Sequence, residues 1–276
     1  LDSFDRPLPP VYKGDRVFDL AFDSADEYLY SAHGSGRILK WNLNKPEKAP
    51  ACLQGRQLNS VNAMTPVKLG EETWLAIAGQ RNHFKLINPN KENTRREILL
   101  DTYASTPASR DSHIRSLDAA ENSSKLAIGD DSGNISLVDL DACFYGGTPC
   151  SPVDSWQGHS GKPIRAVALS EDGCYLATAG DDGQVKLWPV ASGRESRKPS
   201  LSHIFSEGTV IRKSRQRRSF HPFKLRRLET VDLSRVGNTL WVVSGGEDQQ
   251  VRIQKRSVSR LQNRLEWPKC PQDNGL

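Results

Sequence analysis

A short frame recurs five times along this chain, and a recurrence of that period constrains the fold more than any single motif does. Thr178-Ala-Gly-Asp-Asp-Gly-Gln-Val-Lys-Leu-Trp188 aligns with Ser31-Ala-His-Gly-Ser-Gly-Arg-Ile-Leu-Lys-Trp41. Ile77-Ala-Gly-Gln-Arg-Asn-His-Phe-Lys-Leu-Ile87, Ile128-Gly-Asp-Asp-Ser-Gly-Asn-Ile-Ser-Leu-Val138 and Ser244-Gly-Gly-Glu-Asp-Gln-Gln-Val-Arg-Ile-Gln254 share the frame. The frames open at Ser31, Ile77, Ile128, Thr178 and Ser244, at spacings of 46, 51, 50 and 66 residues.

Within each frame a β-branched or aliphatic strand runs into a Gly/Asp/Ser turn and then a second strand. In the fourth unit Ile164–Leu169, Cys174–Thr178 and Gln184–Val190 are expected as successive strands. Ser170-Glu-Asp-Gly173 and Asp181-Asp-Gly183 form the turns between them, glycine supplying the positive φ of tight hairpins. A lone four-stranded meander is marginal, whereas sheets stacked radially around a channel bury both faces of each. The expectation is an all-β propeller with almost no helix. Its five visible four-stranded blades lie near residues 14–50, 56–105, 111–155, 156–206 and 225–256, within a domain spanning 1–257. Residues 258–276 are expected as an outer strand or tail.

The fourth unit carries Gly158-His159, Ser170-Glu-Asp-Gly173, Ala179-Gly-Asp-Asp182 and Leu187-Trp188, and it resembles the WD-repeat family closely. That resemblance implies a buried hydrogen-bonded tetrad of His159, Thr178, Asp182 and Trp188, structural rather than catalytic. Other units depart from the pattern: Ser35, Arg81 and Ser132 replace the turn Asp, while Ile87, Val138 and Gln254 replace the Trp. Pro189 stands where the eponymous Trp-Asp pair has its Asp. Phe18-Asp-Leu-Ala-Phe22, Tyr30-Ser-Ala-His-Gly-Ser-Gly36 and Gly161-Lys-Pro-Ile-Arg-Ala-Val167 resemble the C-terminal propellers of cyanobacterial STAND-type or caspase-like signalling proteins. Family members usually close with seven blades. The resemblance therefore implies part of a larger ring with an upstream domain, the alternative being closure with five.

Mean hydropathy is −0.59 and no apolar run approaches the roughly 20 residues of a membrane-spanning helix. Five cysteines, Cys52, Cys143, Cys150, Cys174 and Cys270, show no CxxC spacing, so free thiols and a reduced cytoplasmic setting are expected. A loop disulfide between Cys143 and Cys150 is the alternative.

Net charge is +5, but 11 Lys or Arg against 2 Glu between Arg194 and Arg227 give that stretch +9 and leave −4 elsewhere. This basic insertion, 194–227, is densest at Arg212, Lys213, Arg215, Arg217 and Arg218. It suits nucleic-acid phosphate or another anionic surface, or is simply a solvated loop. The family's top rim takes the residue before the turn Asp, here Gly34, Gln80, Asp131, Asp181 and Glu247. The last three are expected to form an acidic arc, with Arg115, Lys162 and Arg165 completing a mixed-charge rim for a protein partner. Asp130-Asp131 and Asp181-Asp182 leave a propeller glycosidase as a third reading. Their repeat-equivalent positions favour local turn roles instead. The expected function is a non-enzymatic interaction or sensor scaffold of a larger signalling protein, needing no cofactor or metal and binding a protein or an upstream domain of the same polypeptide.

Overall fold

The computed structural model describes residues 15–23, 25–54, 61–79, 83–91, 95–99, 112–146, 152–190, 203–206, 227–247 and 250–258. These form five consecutive antiparallel meanders. Blade 1 holds β1 (Val17–Phe22), β2 (Tyr28–His33), β3 (Ile38–Asn42) and β4 (Ala51–Gln54). Blade 2 holds β5 (Val61–Leu69), β6 (Glu72–Gly79), β7 (His83–Ile87) and β8 (Arg95–Leu99). Blade 3 holds β9 (Ile114–Ala119), β10 (Lys125–Asp130), β11 (Asn134–Asp139) and β12 (Asp154–Gln157). Blade 4 holds β13 (Ile164–Leu169), β14 (Tyr175–Gly180), β15 (Gln184–Pro189) and β16 (His203–Ser206), and blade 5 holds β17 (Leu228–Val236), β18 (Thr239–Gly246) and β19 (Val251–Ser257). The fifth sheet thus has three described strands, where four were expected. Of the segment 258–276 only Val258 is described.

The repeat seen in the sequence is a repeat of register. The residue that opens each frame pairs with the same place on the first strand: Ser31 with Leu20, Ile77 with Met64, Ile128 with Leu117, Thr178 with Val167 and Ser244 with Val231. Each of these five ladders carries an irregularity at the same end, one turn of pleat before that pair. Such a bulge raises local twist and re-aims the residues that follow.

Four hydrophobic clusters join the five blades. Ala21, Tyr30 and Ile38 meet Met64, Leu75 and Ile77 between blades 1 and 2. Trp74, Ala76 and Phe84 meet Ile114, Leu126 and Val138 between blades 2 and 3, and Ile135 and Trp156 meet Val167, Leu176 and Trp188 between blades 3 and 4. Tyr175, Ala177 and Leu187 meet Val231, Leu233 and Leu240 between blades 4 and 5. The inner strands pack in order, β1 on β5, β5 on β9, β9 on β13 and β13 on β17; among the described residues no comparable packing returns from β17 to β1. The blades therefore form an arc. Its middle strands are buried on both faces, as in β14, every residue of which is buried. End strands alternate, β17 burying Leu228, Val231 and Leu233 while exposing Thr230, Asp232 and Ser234.

One helix, α1 (Leu140–Gly146), falls where the sequence suggested a connecting loop. Asp139 Oδ1 accepts the Ala142 N–H at 3.1 Å as an N-cap, and Phe144 meets Trp74 edge-on at 5.0 Å between ring centres. Cys143 and Cys174 each take part in a disulfide, which corrects the expectation of free thiols at these two positions; Cys150 and Cys270 lie outside the described residues. Disulfides persist in oxidising compartments, so the reduced setting inferred from cysteine spacing loses its basis. No helix among the described residues is long and apolar enough to cross a membrane.

Candidate functional site

Between blades 3 and 4, the loop leading into β13 delivers His159 into the interface. Gly133, at φ 82°, makes this possible: its carbonyl accepts the Gly158 and His159 N–H groups at 2.8 and 3.0 Å, and a Cβ there would collide with the His159 carbonyl oxygen. The imidazole then links β14 to the turn that follows it. His159 Nδ1 donates to Asp182 Oδ1 at 2.8 Å, Thr178 Oγ1 donates to His159 Nε2 at 2.8 Å, and Trp188 Nε1 donates to Thr178 Oγ1 at 3.0 Å. These roles follow from requiring every member to be satisfied, since indole can only donate and carboxylate only accept. Lys186 Nζ closes the group, donating to the Gly158 carbonyl at 2.6 Å and lying 3.3 Å from Asp182 Oδ2. Burial alone would raise the Asp182 pKa, but the hydrogen bond from His159 and the charge of Lys186 hold it below the ordinary carboxylate value.

The imidazole occupies a slot left open by Gly180, where a Cβ would lie 2.7 Å from His159 Nδ1. The residues at the Gly180 position explain what other blades do. In blade 1 that position is His33, and the ring comes from the strand itself: Ser31 Oγ contacts His33 Nε2 at 2.9 Å, and Trp41 Nε1 donates to Ser31 Oγ at 2.8 Å. Asp15 stands in for the missing turn carboxylate, 3.8 Å from His33 Nδ1 and accepting the Ser35 N–H and hydroxyl. In blade 3 the position is Asp130, whose Oδ1 accepts the Ser132 and Asn134 N–H groups at 3.0 and 2.7 Å. Sequence reading treated Ser35 and Ser132 as losses. It did not give this role to His33 or Asp130, both inside the aligned frame two positions before the turn position, or to Asp15, which lies upstream of it.

On the rim, Asp131, Asp181 and Glu247 occupy equivalent turns, and their N–H groups bond the carbonyls of His113, Pro163 and Arg227 at 3.0, 2.9 and 3.0 Å. The expected bare acidic arc is instead met by local bases. Arg165 grips Asp181 with two hydrogen bonds, Nε to Oδ1 at 2.8 Å and NH2 to Oδ2 at 2.9 Å, which raises the arginine pKa. Arg227 reaches both Asp181 at 3.7 Å and Glu247 at 4.0 Å, tying blade 4 to blade 5. Asp131 accepts from Ser112 Oγ and from the His113 backbone at 2.6 and 2.9 Å, with Arg115 at 3.7 Å. Burial raises the Asp131 pKa less than these donors lower it. Lys162 is exposed and, among the described residues, makes no ion pair. Arg212, Lys213, Arg215, Arg217 and Arg218 lie outside the described residues, as do Gln80 and Arg81. The described residues contain no group of three or more His, Cys, Asp or Glu that could hold a metal ion.

Aspartates on inner strands clasp one blade to the next. Asp19 Oδ1 accepts the Leu20 N–H at 2.9 Å, and its Oδ2 accepts that of Met64 in blade 2 at 2.7 Å. Asp118 Oδ2 accepts the Leu169 N–H of blade 4 at 2.6 Å. Burial pushes the Asp118 pKa up to about 7, with the charges of Asp232 and Asp19 adding to it against the lowering by Leu169 and Ala119 N–H groups.

Residues 150–189, running from the last strand of blade 3 through β15, match the family model described as "WD domain, G-beta repeat". The fold is a β-propeller, with a WD repeat matched over residues 150–189. A chain 44% identical over 52 residues is the Ribosome biogenesis protein ERB1 of Debaryomyces hansenii, the match covering 19% of this chain and 6% of the relative. WD repeat-containing protein SL1-17 of Schistosoma mansoni is 39% identical over 71 residues, 26% of this chain and 21% of its own length. These matches span only a small part of the relatives' length. A crystal structure of the Myceliophteria thermophila Cps50 (Swd1) β-propeller domain superposes with a TM-score of 0.61 at 15% identity, covering 87% of this chain and 70% of that one. At that identity the likeness concerns the fold.

Proposed function

We propose that this WD-repeat propeller is a non-catalytic platform that holds a protein partner on the rim of blades 3 to 5. The observation that carries the reading is the mixed-charge rim formed by Arg115 and Asp131 on blade 3 and by Lys162, Arg165, Asp181, Arg227 and Glu247 on blades 4 and 5. Apart from Lys162, its members are held in ion pairs. A preordered mixed-charge surface loses little side-chain entropy on binding, and its mixed signs reject a partner of the wrong pattern. A role within a signalling protein, with the partner an upstream domain of the same polypeptide, is one form of this platform. The likeness to ribosome biogenesis proteins spans about one blade, so it speaks for the repeat more than for a shared assembly.

Carboxylates that a glycosidase would need are engaged otherwise. Asp130 and Asp182 accept backbone N–H groups of their own turns, and Asp181 is held by Arg165. Nucleic-acid binding through the insertion 194–227 is the second reading, favoured by the +9 of that stretch. Affinity capture in the presence of nuclease separates the two. We expect a protein partner retained after nuclease treatment and lost from the double variant Lys162→Glu/Arg165→Gln. Retention that nuclease or modest salt abolishes, unaffected by the rim variant, would transfer the function to the insertion.

A further inference from the structure

We propose that Arg115 is the point of the rim that receives a carboxylate of the partner, which makes the partner's contact segment an acidic peptide. This chemistry rests on the rim reading above and adds to it the class of group bound at one position. The five inner ladders share one irregularity, and in each it leaves a residue of the first strand without a partner: Phe18, Asn62, Arg115, Arg165 and Glu229. A bulge re-aims such a side chain. Beside it, in four of the blades, stands the rim residue, whose N–H bonds the carbonyl two positions before the bulge: Gly34 to Arg16, Asp131 to His113, Asp181 to Pro163 and Glu247 to Arg227.

Blades 3 and 4 both set an arginine against an aspartate in this arrangement, and they differ in what precedes the arginine. Blade 4 has Lys162-Pro163, and proline has no N–H to offer Asp181. Both Asp181 oxygens accept from Arg165, at 2.8 and 2.9 Å. Blade 3 has Ser112-His113, which claim the carboxylate first: Asp131 Oδ1 accepts the Ser112 hydroxyl and the His113 N–H, and Oδ2 faces His113 Nδ1 at 3.1 Å. Arg115 NH2 stops 3.7 Å from Oδ2, and among the described residues the guanidinium donates no hydrogen bond, its Nε buried without an acceptor. The Arg115 side chain is 38% exposed, against 27% for Arg165. A guanidinium carries five donors in a plane, and a carboxylate takes two of them at once. Asp131 already balances the charge of Arg115, so a singly charged carboxylate meets less repulsion here than a doubly charged phosphate. On the neighbouring bulge of blade 2, Asn62 Nδ2 donates to the Ile114 carbonyl at 3.0 Å, which leaves Asn62 Oδ1 to accept a backbone N–H of the same peptide.

A fluorescein-labelled peptide of alternating Glu and Gly residues and its Gln counterpart, read by fluorescence polarisation on the whole chain, provide the test. We expect the Glu peptide to bind at least about ten-fold more tightly than the Gln peptide, and Arg115→Gln to remove that difference. The double variant Ser112→Lys/His113→Pro gives blade 3 the residues of blade 4. It should let Asp131 take up Arg115 and weaken the Glu peptide by a similar factor with Arg115 still present, in a protein whose circular dichroism matches the parent's. Equal binding of the two peptides, or Glu-peptide binding that survives Arg115→Gln, would overturn the proposal. Displacement of the Glu peptide by inorganic phosphate at lower concentration than by acetate would overturn it equally. In the capture experiment, a partner lost from Lys162→Glu/Arg165→Gln but held by Arg115→Gln would overturn this inference and keep the rim reading, whereas a partner held by both variants would overturn the two together.

Discussion

Replacing His159 by alanine is expected to lower stability by about 3 kcal/mol or more, the largest loss of any polar substitution in the molecule. Removing the ring empties the slot beside Gly180 and leaves the fully buried Thr178 hydroxyl and the Asp182 carboxylate without their partner. Lys186, itself buried, then balances Asp182 alone. Ser132→Ala, at the blade 3 position aligned with Asp182, removes a hydroxyl that contacts Ser112 Oγ at 3.1 Å and should change stability by no more than about 0.5 kcal/mol. Urea denaturation of both variants gives the comparison. Similar losses at the two sites would mean that the network around Trp188 is not the unit that stiffens blade 4.

The second large effect depends on pH. Because the folded protein holds Asp118 protonated up to about 7 while the unfolded chain ionises it near 3.8, the unfolded state binds fewer protons between those values. Stability contributed by this group falls as pH rises from about 4 to about 7 and is constant above that. Asp118→Asn keeps an oxygen to accept the Leu169 N–H but cannot ionise. The variant should therefore be more stable than the parent at pH 8, by a few kcal/mol at most, with the gap closing towards pH 4. Asp131 and Asp182, whose carboxyls are held below their ordinary values, act in the opposite sense: the stability they contribute is lost in both proteins as pH falls below about 4. Melting curves across pH 3 to 9 would show it. A parallel pH profile for parent and variant would mean that Asp118 is ionised in the fold.

Legibility in the sequence followed the locality of the cause. Strand and turn positions were readable because alternation and Gly-containing turns act within a few residues, and β13 spans Ile164–Leu169 as expected from its pattern. β14 begins at Tyr175 and extends to Gly180, since the turn ladder from Ser170 takes up Cys174. His33 and Asp130 were not readable as members of the slot. Alignment by residue type asks which amino acid stands at one position, whereas the slot asks which side chain fills a volume, from a strand in blades 1 and 3 and from a loop in blade 4. The pairing of the rim was also hidden, because Arg165 and Asp181 are sixteen positions apart and meet only when β13 and β14 pair. The exposed flank of blade 5 was legible in part: Leu240 and Trp241 are adjacent in sequence, yet only the fold shows that one is covered by blade 4 while the other stays 37% exposed with Lys255 over its ring.

The account rests on five blades forming an open arc with a paired rim. Dipolar electron paramagnetic resonance between nitroxides introduced through unnatural amino acids at Leu20 on β1 and Ser234 on β17 tests that arrangement most directly. Adjacent packed sheets lie about 10 Å apart. The arc predicts an inter-spin distance well beyond that neighbour spacing, shortened in no fraction of the molecules. A distance near 10 Å, indicating β17 packed on β1 as β13 packs on β17, would show that five blades close on themselves and would contradict the account.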